Sequence, residues 1–259
     1  MTYTAWSSHG PRIALAVSED IFHRRRLGLA TFASADGIDL DNIDDKDGSL
    51  FPAVIPDPSG QPELALLHRP LFPGTRPEQT ACSPATREVD IDRESIWISY
   101  CQMALNLKPF RTGKFTFHHR LASPVSPWER LKIGGGTPPI LTRFGWMIVY
   151  HGGEIDVPET DRHVLRYSAG VMIFSEEHSL VINYRSVEPV LTPTLPQERD
   201  GTVDNVAFPT GIDRRDDLGT PDRFDVYYGM ADNRIGVARL DLPEQMPNRG
   251  AADARAAKV

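Results

Sequence analysis

The sequence predicts an all-β protein, and three observations carry that prediction. Helical periodicity is almost absent along the 259 residues, so no long amphipathic helix is indicated. Short runs of β-branched and aromatic residues recur instead, bounded by Gly, Pro, Asn and Asp. The third observation is a repeated strand pair, which predicts the blades of a β-propeller rather than a single sheet.

The repeated unit is an aromatic-rich strand, a polar apex and a second strand of small residues. It occurs at residues 1–20 (MTYTAWSSHGPRIALAVSED), at residues 145–177 with a longer apex, and in compact form at residues 224–242. Residues 64–72 and 95–105 are interpreted as the two strands of a fourth copy, split by an insertion. A β-sandwich with coincidental similarity is the alternative. We expect the propeller domain to span residues 1–245, with an exposed excursion at about 73–94 and a flexible tail at 246–259.

Composition narrows the class of partner. The net charge of −7 argues against nucleic acid, which usually meets a basic face. No apolar run is long enough for a membrane span, and no export signal is present at the N-terminus. Two cysteines, Cys82 and Cys101, are too few for a disulfide framework and lack metal-site spacing, so a reduced cytoplasmic protein is predicted.

The stretch KIGGGTPPILTRFGWMIVYHGG, residues 132–153, brings a lysine, three glycines and a histidine around one short strand. It is not a phosphate-binding loop of the P-loop type, because Lys132 precedes the glycines and Pro138 and Pro139 follow them.

Polar residues at the ends of predicted strands are the candidate site. In a propeller the first strand of each blade lies near the axis, so these side chains would converge on one funnel. The cations Lys46, Arg69 and Lys132, with His151, would suit an anion such as phosphate. The carboxylates Asp47, Asp204 and Asp232 would suit the hydroxyls of a sugar, and Tyr167 and Asn205 mark the same strand ends. The aromatic residues that could stack against a sugar ring are Trp6, Trp97, Tyr150 and Tyr228.

The sequence resembles glycoside hydrolase family 130, the β-mannoside phosphorylases and related β-mannosidases. The matching segments follow one another in the order the family has them: YTAWSSHGPRIALAVSED, KDGSLFP, LLHRP, WERLKIGGGTPPILTRFGWMIVYHGG, VDNVAFPTG and DVYYGMADNRIGVARLDL. The resemblance implies a five-bladed propeller with its site at the axis. It also implies inverting transfer of a mannosyl group to inorganic phosphate, with no metal or other cofactor.

The resemblance assigns roles to individual residues. Phosphate would be held at Lys46, Arg69 and His151, where Lys46 replaces an arginine and keeps the charge but not the two-pronged hydrogen bonding. Asp47, Lys132, Tyr167 and Asp232 would contact the substrate.

The family's general acid is an aspartate in a Glu-Asp-Pro-Arg motif that precedes the first matching strand, and this motif is absent here. We therefore expect the acid, and part of the propeller, to lie upstream of Met1. Three functions stay open: a β-mannoside phosphorylase, a β-mannosidase that uses water, and a non-catalytic sugar-binding propeller. The oligosaccharide and phosphate are the expected partners, and homo-oligomerisation is left open.

Overall fold

The computed structural model describes residues 1–35, 37–72, 93–102, 113–156 and 164–247, and strands dominate throughout these ranges. The prediction of an all-β fold is confirmed. The described strands form four antiparallel sheets that follow one another along the chain, as in a propeller. The five blades expected from the resemblance stay a prediction. Most of the predicted excursion, Cys82, and residues 248–259 of the predicted tail lie outside the described residues.

The first two sheets are built from residues 2 to 122. The first sheet contains β1 (Thr2–Ser7), β2 (Gly10–Ser18) and β3 (Arg24–Leu29), in that order. The second contains β4 (Asp45–Leu50), β5 (Ile55–Pro56), β6 (Pro62–Pro70), β7 (Ile96–Cys101) and β8 (Thr116–Ala122). Its order is β4-β6-β7-β8, with β5 also paired to β6.

The last two sheets are built from residues 132 to 241. The third contains β9 (Lys132–Gly134), β10 (Ile140–Thr142), β11 (Gly145–Asp156), β12 (Val164–Phe174) and β13 (Ile182–Arg185), with β9 and β10 both paired to β11. The fourth contains β14 (Ala207–Arg214), β15 (Arg223–Met230) and β16 (Arg234–Asp241). Helical turns are short: Leu40–Asn42, Pro127–Glu129, Asp216–Leu218 and the helix α1 (Pro196–Arg199).

The repeats found in the sequence are neighbouring strands of these sheets. The first copy is the hairpin β1-β2, the second is β11-β12, the third is β15-β16 and the split fourth copy is β6-β7. Each sheet therefore contains one copy. The repeat was the strongest fold signal because it marks the strand pair that every sheet has in common.

Three apolar cores join the four sheets in sequence. The first core joins sheets one and two and includes Ile13, Leu15 and Leu66. The second joins sheets two and three, where the rings of Phe51 and Trp146 meet edge to face with their centroids 5.3 Å apart. The third joins sheets three and four. Strand β11 serves two of these cores, and this explains why its sequence WMIVY is apolar at every position.

A buried glutamate fixes the chain segment that leads into each of the last two sheets. Glu129 accepts hydrogen bonds from the backbone N–H groups of Val125 and Ser126 and from the Tyr150 hydroxyl. Glu198 does the same with Thr194, Leu195 and Tyr228. The segments SPWER (126–130) and LPQER (195–199) carry this repeat, and it places the ends of β9 and β14 beside the candidate site.

In the part of the chain that the structure describes, no helix is long and apolar enough to cross a membrane.

Candidate functional site

The structure brings six of the seven predicted site residues to one place between the second and third sheets. Lys46 and Asp47 lie on β4, Arg69 on β6, Lys132 on β9, His151 on β11 and Tyr167 on β12. The two sheets meet here through a parallel bridge between Glu94 and Lys132, with the Ile133 N–H donating to the Glu94 carbonyl at 3.0 Å. Side chains far apart in sequence thus lie together in one cluster.

A bulge in β4 directs Asp47 into this place. The pairing of β4 with β6 shifts between Lys46 and Ser49, and Asp47 adopts a left-handed backbone with φ of 56°. A bulge changes the direction in which a side chain points, and Asp is one of the residues that tolerate this conformation. The carboxylate accepts a hydrogen bond of 2.6 Å from Arg69 Nε.

Arg69 is held by two carboxylates. Its Nε faces Asp47 and a terminal nitrogen forms an ion pair with Glu94, while only 6% of its side chain is exposed. Sequence reasoning placed Glu94 at the end of an exposed excursion, whereas the structure buries it in the site. No sequence signal marked it, because Glu94 follows the polar excursion without a break. The arginine is therefore fixed in orientation before any ligand arrives.

His151 is fully buried and its tautomer is determined by its neighbour. Nδ1 lies 2.9 Å from the Gly135 carbonyl, which can only accept, so Nδ1 carries the hydrogen. Burial lowers the pKa of His151 to about 4, so the ring is neutral near pH 7. The other nitrogen, Nε2, is an acceptor. It lies 3.7 Å from Asp47 Oδ2 and has no hydrogen-bond partner among the described residues.

The glycines of the stretch at 134–136 are required by close packing. A Cβ on Gly134 would lie 2.1 Å from Asp47 Oδ2 and 2.4 Å from His151 Cε1. A Cβ on Gly136 would lie 2.3 Å from the Val149 carbonyl. The triple glycine is therefore a surface against which acidic and imidazole side chains lie, and not a loop that wraps phosphate with its N–H groups.

Aromatic rings line the other side of His151. Phe208 of β14 lies with its ring centroid 4.3 Å from that of His151, and the Tyr167 ring lies at 5.9 Å. The ammonium of Lys132 sits 5.1 Å from the Tyr167 centroid. Phe208 was missed by sequence reasoning, although it lies within the matching segment VDNVAFPTG. These rings exclude water from the imidazole, and the Tyr167 ring holds Lys132 near the residues predicted to bind an anion.

The cations are close enough to influence one another. Burial, followed by the charge of Arg69, lowers the pKa of Lys46, and Lys132 contributes in the same direction. The Lys46 ammonium lies 5.4 Å from the ring centroid of Trp6, which is 74% exposed. Lys46, Arg69 and Lys132 face two carboxylates, Asp47 and Glu94, so within the described residues the cluster carries one net positive charge when His151 is neutral.

Asp232 is the predicted residue that the structure leaves at the margin. It follows Ala231 in the turn between β15 and β16, and both adopt left-handed backbone conformations. The Ala231 N–H donates to the Val206 carbonyl, and Val206 forms a bridge with Tyr167, so the turn belongs to the same end of the sheets. The Asp232 side chain itself is exposed to solvent.

The remaining predicted residues either hold neighbouring segments by hydrogen bonds or pack against other side chains. Asn205 accepts the Tyr167 N–H through its carbonyl, while Asp204 accepts the N–H of Gly201. Tyr150 and Tyr228 hold the buried glutamates, and Trp97 packs on Phe72 with centroids 4.9 Å apart. Of the four aromatic stacking candidates, Trp6 alone is exposed beside a site cation.

Across the described ranges, no group of three or more His, Cys, Asp or Glu side chains is arranged to hold a metal ion.

Comparisons with known proteins identify the family of this chain. A family model for glycoside hydrolase family 130, described as beta-1,4-mannooligosaccharide phosphorylase, matches residues 1–248. A 1,2-beta-oligomannan phosphorylase of Thermoanaerobacter sp. (strain X514) is 31% identical over 234 residues, which are 90% of this chain and 60% of that protein. A beta-1,4-mannooligosaccharide phosphorylase of Ruminococcus albus is 35% identical over 121 residues, covering 47% of this chain and 34% of that protein.

Among solved structures, the beta-1,2-mannobiose phosphorylase of Listeria innocua in complex with beta-1,2-mannobiose superposes with a TM-score of 0.64 at 23% identity. The match covers 93% of this chain and 54% of that chain, and it supports the fold. The matched segments therefore span between about a third and three fifths of the length of these relatives.

Proposed function

Because the chain belongs to glycoside hydrolase family 130, we propose that it acts on β-mannosides as a phosphorylase, transferring a mannosyl group to inorganic phosphate with inversion. The convergence of Lys46, Arg69, Lys132 and His151 in one cluster is the observation that carries this proposal. The ring of five blades implied by the resemblance is part of the same proposal.

The cations act by positioning the nucleophile. Lys46 and Lys132 are point charges that reduce the repulsion between phosphate and the electron-rich sugar oxygens. Arg69, fixed by Asp47 and Glu94, adds a directed charge. Phosphate held in this way attacks the anomeric carbon from the face opposite the leaving group, and inversion of a β-mannoside gives α-mannose 1-phosphate.

The sugar would lie beside this cluster of cations. Trp6 and Tyr167 offer aromatic faces beside Lys46 and Lys132, and Asp232 offers a carboxylate for sugar hydroxyls. A general acid must protonate the departing oxygen. No residue of this chain is assigned that role.

Hydrolysis is the second candidate, and one observation favours it. Two of the nitrogen atoms of Arg69 are already engaged by carboxylates, which leaves less of the guanidinium for phosphate. Water needs no such charge and could take the place of phosphate. A sugar-binding propeller without catalysis is the third reading, because no general acid is identified among the described residues.

One assay separates these functions. The purified protein is incubated with β-1,2- and β-1,4-mannobiose, with and without phosphate, and the products are followed by ³¹P and ¹H NMR. Phosphate-dependent formation of α-mannose 1-phosphate is the expected result. Release of free mannose at the same rate in both conditions would replace phosphorolysis by hydrolysis. Binding of mannobiose without turnover would leave the sugar-binding reading.

A further inference from the structure

We propose that Asp47 makes the anion site selective for an anion that carries its own proton, so that phosphate is accepted and sulfate is rejected. The inference rests on the proposed function, because it concerns the same anion. It assigns Asp47 to the nucleophile, whereas the sequence assigned it to the sugar. Three features of the structure support it.

The first feature is the position of the carboxylate. Asp47 lies among the cations and not at the edge, since Arg69 Nε donates to it at 2.6 Å and only 11% of its side chain is exposed. Burial would raise the pKa of Asp47, but the charge and the hydrogen bond of Arg69 help to outweigh burial and hold it below its ordinary value. An anion that enters this site therefore meets an ionised carboxylate.

The second feature is the pair of acceptors that Asp47 forms with His151. Nε2 of His151 is an acceptor because Nδ1 donates to the Gly135 carbonyl. It faces Asp47 Oδ2 across 3.7 Å, and within the described residues nothing donates to it. A buried acceptor without a donor is costly, so a ligand that supplies a hydrogen here is favoured.

The third feature is the close packing of Gly134 against this pair. The Cα of Gly134 lies against Asp47 and His151, and a side chain there would come within 2.8 Å of both Oδ2 and Nε2. A glycine at this position leaves Oδ2 and Nε2 where they are, whereas a larger residue would displace them. The charges of Lys46 and Lys132 attract an anion to the same cluster, where an oxygen that carries a hydrogen can donate to this pair.

The proton is the feature of phosphate that sulfate lacks. The two anions have the same shape, but near pH 7 phosphate retains at least one proton whereas sulfate has none. A P–O–H group can donate to Asp47 or His151 while the other oxygens face the cations. Sulfate would place a lone pair against the carboxylate, so we expect it to bind about 10- to 100-fold more weakly than phosphate.

The test is isothermal titration of both anions into the wild-type protein, Asp47→Asn and Asp44→Asn at pH 7. The amide introduced by Asp47→Asn keeps the shape of the carboxylate and offers an N–H donor, so sulfate should bind to that variant about as well as phosphate. Asp44→Asn is the matched control. It removes a carboxylate near Lys46 that is paired with Arg12 outside the site, so the preference for phosphate should persist.

The wild-type ratio tests the proposal even if a variant does not fold. A wild-type protein that binds phosphate and sulfate equally overturns the selectivity and leaves phosphorolysis intact. A wild-type protein that binds neither anion overturns both proposals. Loss of the preference in Asp44→Asn as well as Asp47→Asn would show a general charge effect and would also overturn the role of Asp47.

Discussion

Replacing Gly134 by alanine tests whether the glycine stretch maintains the site. The new Cβ would lie 2.1 Å from Asp47 Oδ2 and 2.4 Å from His151 Cε1, whereas carbon atoms in contact are about 3.5 to 4.0 Å apart. Asp47 and His151 must each retreat by more than about 1 Å. Neither can do so freely, because Arg69 holds the carboxylate and Gly135 holds the ring.

The expected cost follows from this overlap. Overpacking of a close-packed interior destabilises a protein by about 1 to 3 kcal/mol, and we expect the upper part of that range because two anchored side chains must shift. The same displacement moves the groups proposed to bind the anion. A misplacement of about 1 Å can lower a rate about 100-fold, so phosphorolysis should fall by that order.

Urea unfolding gives the stability change, and the mannobiose assay gives the rate. Gly229→Ala is the matched control, since a Cβ there would meet Phe208 no closer than 3.9 Å. That variant should be as stable as the wild-type protein or more stable by about 0.4 to 1 kcal/mol. If Gly134→Ala behaved like this control in both measurements, the packing of Asp47 and His151 against residue 134 would be refuted.

Three further outcomes are expected. Arg185→Met should lower the free energy of unfolding by about 3 to 5 kcal/mol in urea titrations, because it leaves buried Glu129 without its ion-pair partner at 2.7 Å; a loss under about 1 kcal/mol would contradict this. The folded-state pKa of His151 is lowered to about 4, so the stability that its neutral ring contributes is present above about pH 6.5 and is lost as the pH falls toward 4. The free energy of unfolding should therefore be about 2 kcal/mol smaller at pH 5 than at pH 8 because of this residue. The difference must shrink in His151→Gln. Lys132→Met should weaken phosphate binding about 10- to 100-fold by calorimetry. Lys114→Met changes a side chain that is 63% exposed and should leave phosphate binding unchanged. Equal effects of the two substitutions would argue against Lys132 as a ligand.

The sequence predicted the sheets and most of the site because both depend on local patterns. Strand periodicity and the repeated hairpin identify β1-β2, β11-β12 and β15-β16 without knowledge of their packing. Lys132 and His151 stand at the two ends of one recognisable stretch. These features could be recognised because each is contained within a few consecutive residues.

What the sequence could not provide is the pairing of distant side chains. Glu94 has no local mark that separates it from a surface carboxylate, and its role depends on the meeting of β6 with the segment before β7. Phe208 is an ordinary strand residue until β14 packs against β11. The direction of the Asp47 side chain toward His151 depends on the bulge in β4, and that bulge exists only where β4 pairs with β6.

The packing of β11 in two cores limits how the sheets can move. Met147 and Val149 project toward the fourth sheet, whereas Trp146 and Ile148 project toward the second. The strand is therefore packed on both faces and separates two apolar cores. A shift of β11 toward one core would open a gap in the other core. The second and fourth sheets therefore cannot move independently of this strand. His151 directly follows this apolar segment within β11, so packing on both faces of the strand holds its backbone in position.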